Sequence, residues 1–342
     1  MILADREATE DAGSCYGMLF MYSGSFLCEV EKDQYNQTRF LMGIGTEQFD
    51  YPLAPGGELI VPEAVLSYSA EGLFGLSRQY QACIRDHVCR GKYAHTRRSV
   101  LINSWEAAYF NFNGDTIANL AKEAAALGID MVVMDDGWFG RRNDDNSSLG
   151  DWTVNEEKLG GTLAQLVNRV KIQYGTSFFY PISVVGSHVS AVPNHQTGRS
   201  VSLNTRGVVA MAGTFGYELN PVLMSEEEKN IVKQQVRTYK KYESLICEGT
   251  YYRLSSPFTE PFAAWMSVSG NKKQALVSVV RLEAEGNATS MYLKCKGLNP
   301  NIVYQEENTG VLYDGAALMG AGFVLPRAKS EYEAYQFALK ET

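Results

Sequence analysis

The sequence predicts a multidomain α/β plus β protein, in which a parallel α/β region lies between two regions of antiparallel β structure. Short apolar and aromatic stretches broken by turn-forming residues run from Tyr16 to Tyr68. A strand, helix and strand pattern then extends from Val100 to Met134, and short β segments return after Glu248. With 342 residues, the chain is long enough for two or three domains.

The first β region contains three clear strand candidates followed by a helix. Met18–Tyr22, Phe26–Val30 and Thr38–Met42 are short apolar or aromatic runs separated by turn formers, which is typical of antiparallel strands. From Leu73 to Cys89 the apolar residues recur at helical spacing. We therefore predict that a helix closes this region.

The central region opens with a βαβ unit. Val100–Asn103 and Met131–Met134 are compact apolar strands, and the Ala-rich segment Thr116–Leu127 between them predicts a helix that Gly128 ends. Two strands joined through a helix pair in parallel. The sequence therefore predicts a parallel sheet here.

Further elements follow in the second half of the chain. Leu159–Gln173 predicts a helix, and Phe178–Pro181 and Gly207–Met211 are candidate strands. A charged amphipathic helix is expected over Ser225–Tyr242, because Ser225 and Glu228 form a capping box that marks its start. The β segments after Glu248 suggest a small C-terminal β-sandwich.

Composition and charge exclude several classes of protein. The chain has 31 Lys and Arg residues against 39 Asp and Glu residues, a net charge of −8, which argues against nucleic-acid binding. No apolar run approaches the roughly 18 residues of a membrane span, and the polar residues after Met1–Ala4 do not suggest a signal peptide, so a cytoplasmic location is expected. Six cysteines without a C-x-x-C pair indicate free thiols, and no nucleotide-binding or serine-hydrolase motif is present, so no cofactor is predicted.

Polar and aromatic residues follow both strands of the βαβ unit. The runs Ser104-Trp105-Glu106 and Asp135-Asp136-Gly137-Trp138 lie where parallel α/β folds bind ligands, at the carboxyl ends of strands. Aromatic side chains here, Trp152 included, suit the apolar faces of sugar rings, although core packing is the favoured interpretation.

Asp135 and Asp136 invite interpretation as a catalytic pair of a glycosidase, but their spacing opposes it. Adjacent residues of a strand point to opposite faces, whereas a retaining pair must converge with carboxyl groups roughly 5 Å apart. Carboxylates at the open end of a strand are better suited to accept hydrogen bonds from sugar hydroxyls. The alternative is a solvated turn that simply ends the strand.

Metal and histidine sites are weakly indicated. The run Asp144-Asp145-Asn146 lacks the spacing of a calcium loop, so no metal site is predicted. His188 and His195 could serve as an acid/base or a metal ligand, but no third partner is evident in the sequence. Hydrogen-bonded structural histidines are the favoured interpretation.

Several long ordered motifs make the chain similar to a known enzyme family. It resembles the alpha-galactosidases of glycoside hydrolase family 36. Seven segments carry that resemblance: Val30–Tyr35, Val100–Ala107, Met134–Arg142, Asp144–Trp152, Lys171–Ser177, His188–Gln196 and Phe215–Leu219. Members of that family hydrolyse terminal alpha-galactosyl residues with retention, through an aspartate nucleophile and an aspartate acid/base. The resemblance implies that the ligands are alpha-galactoside sugars. It is also compatible with a homo-oligomer.

The resemblance also implies a fold and a binding site. It implies a partial (β/α)8 TIM-type barrel over residues 96–245, flanked by an N-terminal β-sandwich remnant with a linker helix over 1–95 and a C-terminal β-sandwich over 246–342. In the family, the paired aspartates after the second barrel strand bind galactose hydroxyls. The resemblance implies this role for Asp135 and Asp136. In the family, the tryptophan after the first strand lines the same subsite. The resemblance implies this position for Trp105.

The chain departs from the family pattern in the middle of the barrel. Only about 125 residues separate Val100 from Ser225, whereas a complete barrel takes about 250. The family sequence stops near Asn168–Val170 and resumes at Lys171–Tyr174, which predicts a junction near 168–172. Sandwich sequence expected before Met1 is missing as well.

Both catalytic motifs of the family belong to the missing span. Neither the Lys-Trp-Asp type motif of the nucleophile nor the Ser-Asp-Asp-Thr-Asp type motif of the acid/base occurs in the sequence, so no catalytic residue is predicted and the chain is expected to be inactive. Two alternatives stay open, a non-catalytic galactoside-binding or assembly protein and a nonfunctional fragment. A gene-model error would produce the same sequence.

Overall fold

The computed structural model describes residues 1–47, 49–91, 98–159, 186–194, 198–255, 260–284 and 290–342. The chain divides into two compact units, with the boundary after Arg90. The predicted helix Leu159–Gln173, the candidate strand Phe178–Pro181, the junction near 168–172 and His195 lie outside the described residues. Within the described ranges, no helix is both long and apolar enough to cross a membrane.

The first unit is mainly antiparallel β structure, as predicted. Strands β1, β2 and β5 form one sheet, β3 and β4 form a separate hairpin, and helix α1 continues into a π-helical turn over Ile84–Val88. The elements are β1 Ile2–Ala4, β2 Cys15–Phe20, β3 Phe26–Lys32, β4 Thr38–Ile44, β5 Ala64–Ser69 and α1 Gly72–Cys83. The small core of this unit is formed by Cys15, Leu76 and Tyr80.

The β3–β4 hairpin exposes apolar side chains within its own unit. Phe26, Val30 and Leu41 are 56%, 48% and 50% exposed, respectively. In the following segment, Ile60 is 91% exposed.

A four-stranded parallel sheet organises the second unit. Strand β6, Leu101–Asn103, pairs with β7, Met131–Val133, on one side and with β9, Thr214–Glu218, on the other, and β8, Gly186–Ser190, pairs with β9. The order across the sheet is therefore β7-β6-β9-β8. The predicted parallel sheet is confirmed, and no closed barrel is present among the described residues.

Helices and one core cover this sheet. The helices are α2 Trp105–Ala108, α3 Gly114–Ala126, α4 Glu156–Leu159, α5 Leu203–Ala210 and α6 Glu226–Glu248, with a 3-10 turn over Pro221–Leu223. Ile102, Phe215 and Tyr217 of the sheet are fully buried and pack with Ile117 of α3 and Val236 of α6.

The prediction of a strand over Gly207–Met211 is wrong. Those residues belong mainly to α5, which begins after Ser202, whose Oγ accepts a hydrogen bond from the Thr205 backbone amide at 3.1 Å. Thr205 Oγ1 in turn donates to the Tyr332 carbonyl oxygen at 2.6 Å. This N-cap and the packing of the helix against the C-terminal sheet outweigh the strand preference of Val208 and Val209.

The remaining β segments form two antiparallel sheets. The larger sheet has the order β10-β11-β12-β17-β14-β15, and the smaller contains β13 and β16. The elements are β10 Thr250–Arg253, β11 Phe262–Val268, β12 Gln274–Arg281, β13 Tyr292–Leu293, β14 Val303–Glu306, β15 Leu312–Asp314, α7 Gly315–Gly320, β16 Phe323–Val324 and β17 Glu333–Glu341. Met266 and Val277 of the larger sheet share one core with Leu293 and Phe323 of the smaller.

The capping box predicted for the long helix is present. Ser225 Oγ accepts from the Glu228 amide at 3.2 Å, and Glu228 Oε2 accepts from the Ser225 amide at 2.9 Å. The helix continues to Glu248, six residues beyond the predicted end at Tyr242. Its buried face carries Tyr239, whose ring lies 5.1 Å from that of Phe215.

Replacing Ser225 with Ala removes the side-chain acceptor of this cap. We expect the free energy of unfolding to fall by about 1 kcal/mol, the usual cost of losing a Ser N-cap. Urea denaturation followed by circular dichroism measures the change. Ser225→Asp keeps an acceptor at the same position and should retain most of the stability, so an equal loss in both variants would contradict the assignment.

Candidate active site

A cavity of about 600 Å³ lies along the four parallel strands and reaches the residues at their carboxyl ends. Each strand, or the turn that follows it, contributes to the lining, so residues far apart in sequence meet there. The polar and aromatic residues of the lining are Asn103, Asp135, Asp136, Trp138, Phe139, Trp152, Ser187, His188, Thr214 and Glu218. The site predicted at these strand ends thus coincides with a cavity.

Asp135 keeps hydrogen-bonding capacity for a ligand. Its Oδ2 accepts from Asn103 Nδ2 at 2.6 Å, and its Oδ1 accepts from the Asp136 amide at 2.8 Å. Its own amide donates to Ser104 Oγ at 3.1 Å, which fixes the backbone. An ionised carboxylate has about four acceptor sites, so the described part of the chain leaves about two of them unused.

Asp136 is held by the protein instead. Arg142 approaches it in a bidentate manner, with Nη2 at 2.8 Å and Nε at 3.0 Å from Oδ2, and Nε also lies 3.1 Å from Oδ1. Oδ1 accepts a further hydrogen bond from the Gly137 amide at 2.8 Å. Two N–H groups of Arg142 and the Gly137 amide therefore donate three hydrogens to the four acceptor sites of Asp136, so it can offer a sugar less than Asp135 can.

The Arg142 guanidinium is the centre of the loop that follows β7. Its side chain is only 6% exposed, and it also donates to the Ser147 carbonyl oxygen at 2.9 Å and to Asp145 Oδ1 at 3.0 Å. Asp144 accepts from the Asn146 amide at 2.8 Å. The carboxylates considered above for a cation thus form local contacts, and no cluster of metal-ligating groups occurs among the described residues.

On the other side of the cavity, His188 forms an ion pair with Glu218. The Nε2 to Oε2 distance is 2.6 Å, and the glutamate side chain is 10% exposed. The hydrogen bond with Glu218 raises the pKa of His188, burial opposes this, and the charges of Glu218, Glu106 and Asp135 add to the rise. The favoured interpretation of His188 as a hydrogen-bonded histidine agrees with this pair, and Glu218 is the partner that the sequence did not reveal.

Glu106 belongs to the predicted strand-end cluster, whereas Glu218 was not predicted as a site residue. Glu106 Oε2 accepts from the Ala191 amide at 2.6 Å, which fixes the chain just after β8. Glu218 is the last residue of β9, and the sequence predicted no strand at this position. A buried acidic residue at the end of a buried strand is the signal that could have identified Glu218.

The aromatic residues separate into two groups. The ring centroid of Phe139 lies 5.1 Å from that of Trp138 and 4.7 Å from that of Trp152. All three residues line the cavity. Trp105 instead packs on Phe110 at 4.9 Å and Tyr109 at 5.4 Å, outside the described lining. The structure therefore brings Asp135 and Asp136 together with Trp138, while the role predicted for Trp105 stays a prediction.

The His188–Glu218 pair predicts a pH-dependent stability. A histidine with a raised folded-state pKa stabilises the fold fully below its unfolded value of about 6.5, and the stabilisation is lost as pH rises through the folded value. We expect the free energy of unfolding of the wild type to fall as pH rises above about 6.5, and to fall less in His188→Gln. Urea denaturation at a series of pH values measures the change.

His87→Gln is the matched control, since His87 lies on the surface of the first unit. Its unfolding curve should change with pH as the wild-type curve does. The lowered pKa values of Glu306, Glu307 and Glu333 affect stability only at lower pH, because their stabilisation is lost as pH falls below about 4.3. Parallel pH dependence in the wild type and His188→Gln would exclude the proposed role of the pair.

Three family descriptions match the chain. The Melibiase family matches residues 59–171 and 164–249. The glycosyl hydrolase family 36 N-terminal domain matches residues 1–54, and the family 36 C-terminal domain matches residues 262–339. The two Melibiase segments overlap over 164–171.

Characterised proteins match over nearly the whole chain. The bifunctional alpha-galactosidase/sucrose kinase AgaSK of Mediterraneibacter gnavus is 48% identical and is matched by 100% of this chain, which covers 52% of AgaSK. Alpha-galactosidase AgaA of Geobacillus stearothermophilus is 34% identical, with 99% and 68% of the two chains covered. The chain thus spans about half the length of AgaSK.

The alignment with AgaSK runs over 488 positions, whereas this chain has 342 residues. About 146 aligned positions therefore have no counterpart in this chain.

Solved structures agree with these matches. The galactosidase domain of AgaSK superposes with a TM-score of 0.93 at 48% identity, covering 100% of this chain and 68% of that one. AgaA from Geobacillus stearothermophilus superposes with a TM-score of 0.91 at 33% identity, covering 100% and 69%. Sequence and fold lead to the same conclusion: the chain belongs to glycosyl hydrolase family 36.

Proposed function

We propose that this chain is an incomplete alpha-galactosidase, which retains part of a galactoside-binding site and does not hydrolyse its ligand. The strand order β7-β6-β9-β8 carries the proposal. In a (β/α)8 barrel the second strand pairs with the first, and the last strand closes against the first. The order observed is therefore that of the first two and last two strands of such a barrel.

The size and position of the gap support this interpretation. The outer strands β7 and β8 are separated by 52 residues, and within that interval the Melibiase match divides into two segments that overlap over 164–171. The alignment with AgaSK lacks about 146 positions, which is enough for about four βα units at the roughly 31 residues per unit of a 250-residue barrel. We propose that these units are the middle of the barrel, with the junction near 168–172.

Galactosides are the ligand class that the relatives support. Both AgaSK and AgaA are named as alpha-galactosidases, and structures of AgaA variants contain 1-deoxygalactonojirimycin, raffinose or stachyose. In this chain, Asp135 supplies free acceptor sites beside Trp138, an arrangement suited to sugar hydroxyls next to a C–H face. We assign Asp135 the main binding role, with Asp136 orienting the loop through Arg142 and Trp105 as a further candidate.

Hydrolysis needs groups that this sequence does not contain. Retaining cleavage requires a carboxylate nucleophile and a carboxylic acid about 5 Å apart on opposite sides of the glycosidic bond. Both family motifs that supply them are absent from the sequence. His188 and Glu218 pair with each other and lie on strands β8 and β9. They make one side of the cavity polar but do not supply the two carboxyl groups that cleavage requires.

Hydrolysis is tested with 4-nitrophenyl alpha-galactoside. We expect no release of 4-nitrophenol above the uncatalysed background, because removing even one catalytic carboxylate costs several powers of ten in rate. The galactosidase domain of AgaSK provides the positive control. Turnover above that background would contradict the proposal, and its loss in Asp135→Asn would assign it to this site.

Restoring the missing segment tests the cause of the inactivity. Inserting the corresponding AgaSK sequence between residues 168 and 172 should create measurable turnover if the rest of the fold is intact. Sequencing the gene across these codons shows whether the natural coding sequence already contains such a segment.

Binding is measured separately by isothermal titration calorimetry with galactose. We expect weak, millimolar binding that falls at least tenfold in Asp135→Asn, since the amide replaces one acceptor oxygen with a donor. Asp144→Asn is the matched control, because Asp144 is exposed and lies outside the cavity lining. Binding without turnover also fits the second candidate function, a galactoside-binding protein; absence of binding in the folded chain would exclude both.

A further inference from the structure

A second cavity, of about 560 Å³, lies in the second unit between helices α5 and α6 and the face of the larger C-terminal sheet. Strands β12 and β17 form its sheet side. It shares no lining residue with the cavity at the strand ends. Any ligand bound here would therefore occupy a site separate from the proposed galactoside subsite.

The floor of this cavity is apolar and rigid. Met211, Leu276 and Ala338 are 4%, 5% and 5% exposed and belong to the main core of the unit. The backbone of the sheet holds the last two in place, because Leu276 and Ala338 are directly paired across β12 and β17. This gives the cavity a flat aliphatic base.

Carboxamide and hydroxyl side chains surround this base. Asn204 comes from α5, Gln234 and Thr238 lie one turn apart on α6, and Gln336 comes from β17. Asn204 Nδ2 donates to the Ala334 carbonyl oxygen and Gln336 Nε2 to Ser278 Oγ, each at 3.2 Å. These bonds orient both amides.

The orienting bonds leave hydrogen-bonding capacity unused. In the described part of the chain, the side-chain oxygens of Asn204 and Gln336 accept no hydrogen bond, and the Gln234 amide makes none. Gln235 differs, since it is buried and uses both ends of its amide, towards Tyr217 and Leu203. The first three side chains can thus donate to and accept from a ligand.

The lining carries no unbalanced charge. Lys241 is the charged member of the described lining, and its ammonium group pairs with Glu307, which also accepts from Tyr242 Oη at 2.6 Å. Phosphate and carboxylate ligands require unpaired cationic donors, and metal ions require anionic ligands. Neither class fits this cavity.

We propose that this cavity binds a neutral oligosaccharide. Sugar hydroxyls both donate and accept hydrogen bonds, as carboxamides do, and the C–H face of a pyranose ring fits an aliphatic base. The volume falls within the usual range of about 300–1,000 Å³ for small-molecule sites, with room for about two or three sugar units. The observations that carry this proposal are independent of the galactoside subsite.

Calorimetric titration of the full chain with maltotriose, cellotriose and raffinose tests the proposal. We expect at least one of these neutral trisaccharides to bind with a millimolar or lower Kd. The double variant Gln234→Ala/Gln336→Ala should weaken that binding at least tenfold and leave galactose binding unchanged. Arg237→Ala, on the same helix but outside the described lining, is the matched control and should bind as the wild type does.

A second measurement does not depend on any variant being folded. In the nuclear magnetic resonance spectrum of the wild type, the side-chain amide signals of Asn204, Gln234 and Gln336 should shift with trisaccharide concentration. Failure of all three sugars to bind, or binding that shifts only signals of the strand-end cavity, would overturn the proposal. Loss of galactose binding in Asp135→Asn tests the other site, so the two proposals fail separately.

Discussion

Parallel hydrogen bonding on both sides of strand β6 is the constraint on which the second unit depends. Leu101–Asn103 pairs with Met131–Val133 on one side and with Thr214–Glu218 on the other, although more than 100 residues separate the first and last of these strands. Ile102, at the centre, is fully buried. Because parallel strands end at the same edge of a sheet, this pairing alone brings Asn103, Asp135 and Glu218 to one cavity.

The neighbouring aspartates show how local packing differentiates two identical side chains. Asp135 faces Asn103, a neutral donor that occupies part of its capacity, whereas Asp136 faces the buried guanidinium of Arg142. An arginine fork matches both oxygens of a carboxylate at once and leaves little for a ligand. In this arrangement Asp136 organises the loop, and Asp135 retains free acceptor sites next to Trp138.

The same sheet separates binding from catalysis. The first two and last two positions of a barrel contribute a polar and aromatic rim, and the proposed missing positions contribute the pair of acids that cleaves the bond. Binding groups act singly, each adding its own hydrogen bond, but a retaining glycosidase needs two carboxyl groups held at a defined separation. The proposed loss of the middle of the barrel would therefore leave binding groups in place and remove the pair of acids.

Local sequence patterns determined the local elements of this protein. The apolar runs at 101–103 and 131–133 and the capping box at Ser225 each act within a few residues, so they could be identified without a fold. The assignment of Asp135 and Asp136 to binding stays a prediction. The argument that adjacent strand residues diverge does not apply to them, because β7 ends at Val133 and both side chains line the same cavity. Gly207–Met211 was misassigned, since its helix depends on a contact with Tyr332 far along the chain.

Tertiary structure alone decided which distant residues meet. The pairing of His188 with Glu218, the bidentate grip of Arg142 on Asp136 and the position of Trp105 outside the cavity lining all depend on strand order and side-chain direction. A sequence specifies the residue types available at each strand end, but hydrogen bonds between strands select which of them become neighbours. For this reason the sequence predicted polar and aromatic side chains at the strand ends, but it did not predict which of them pair with each other.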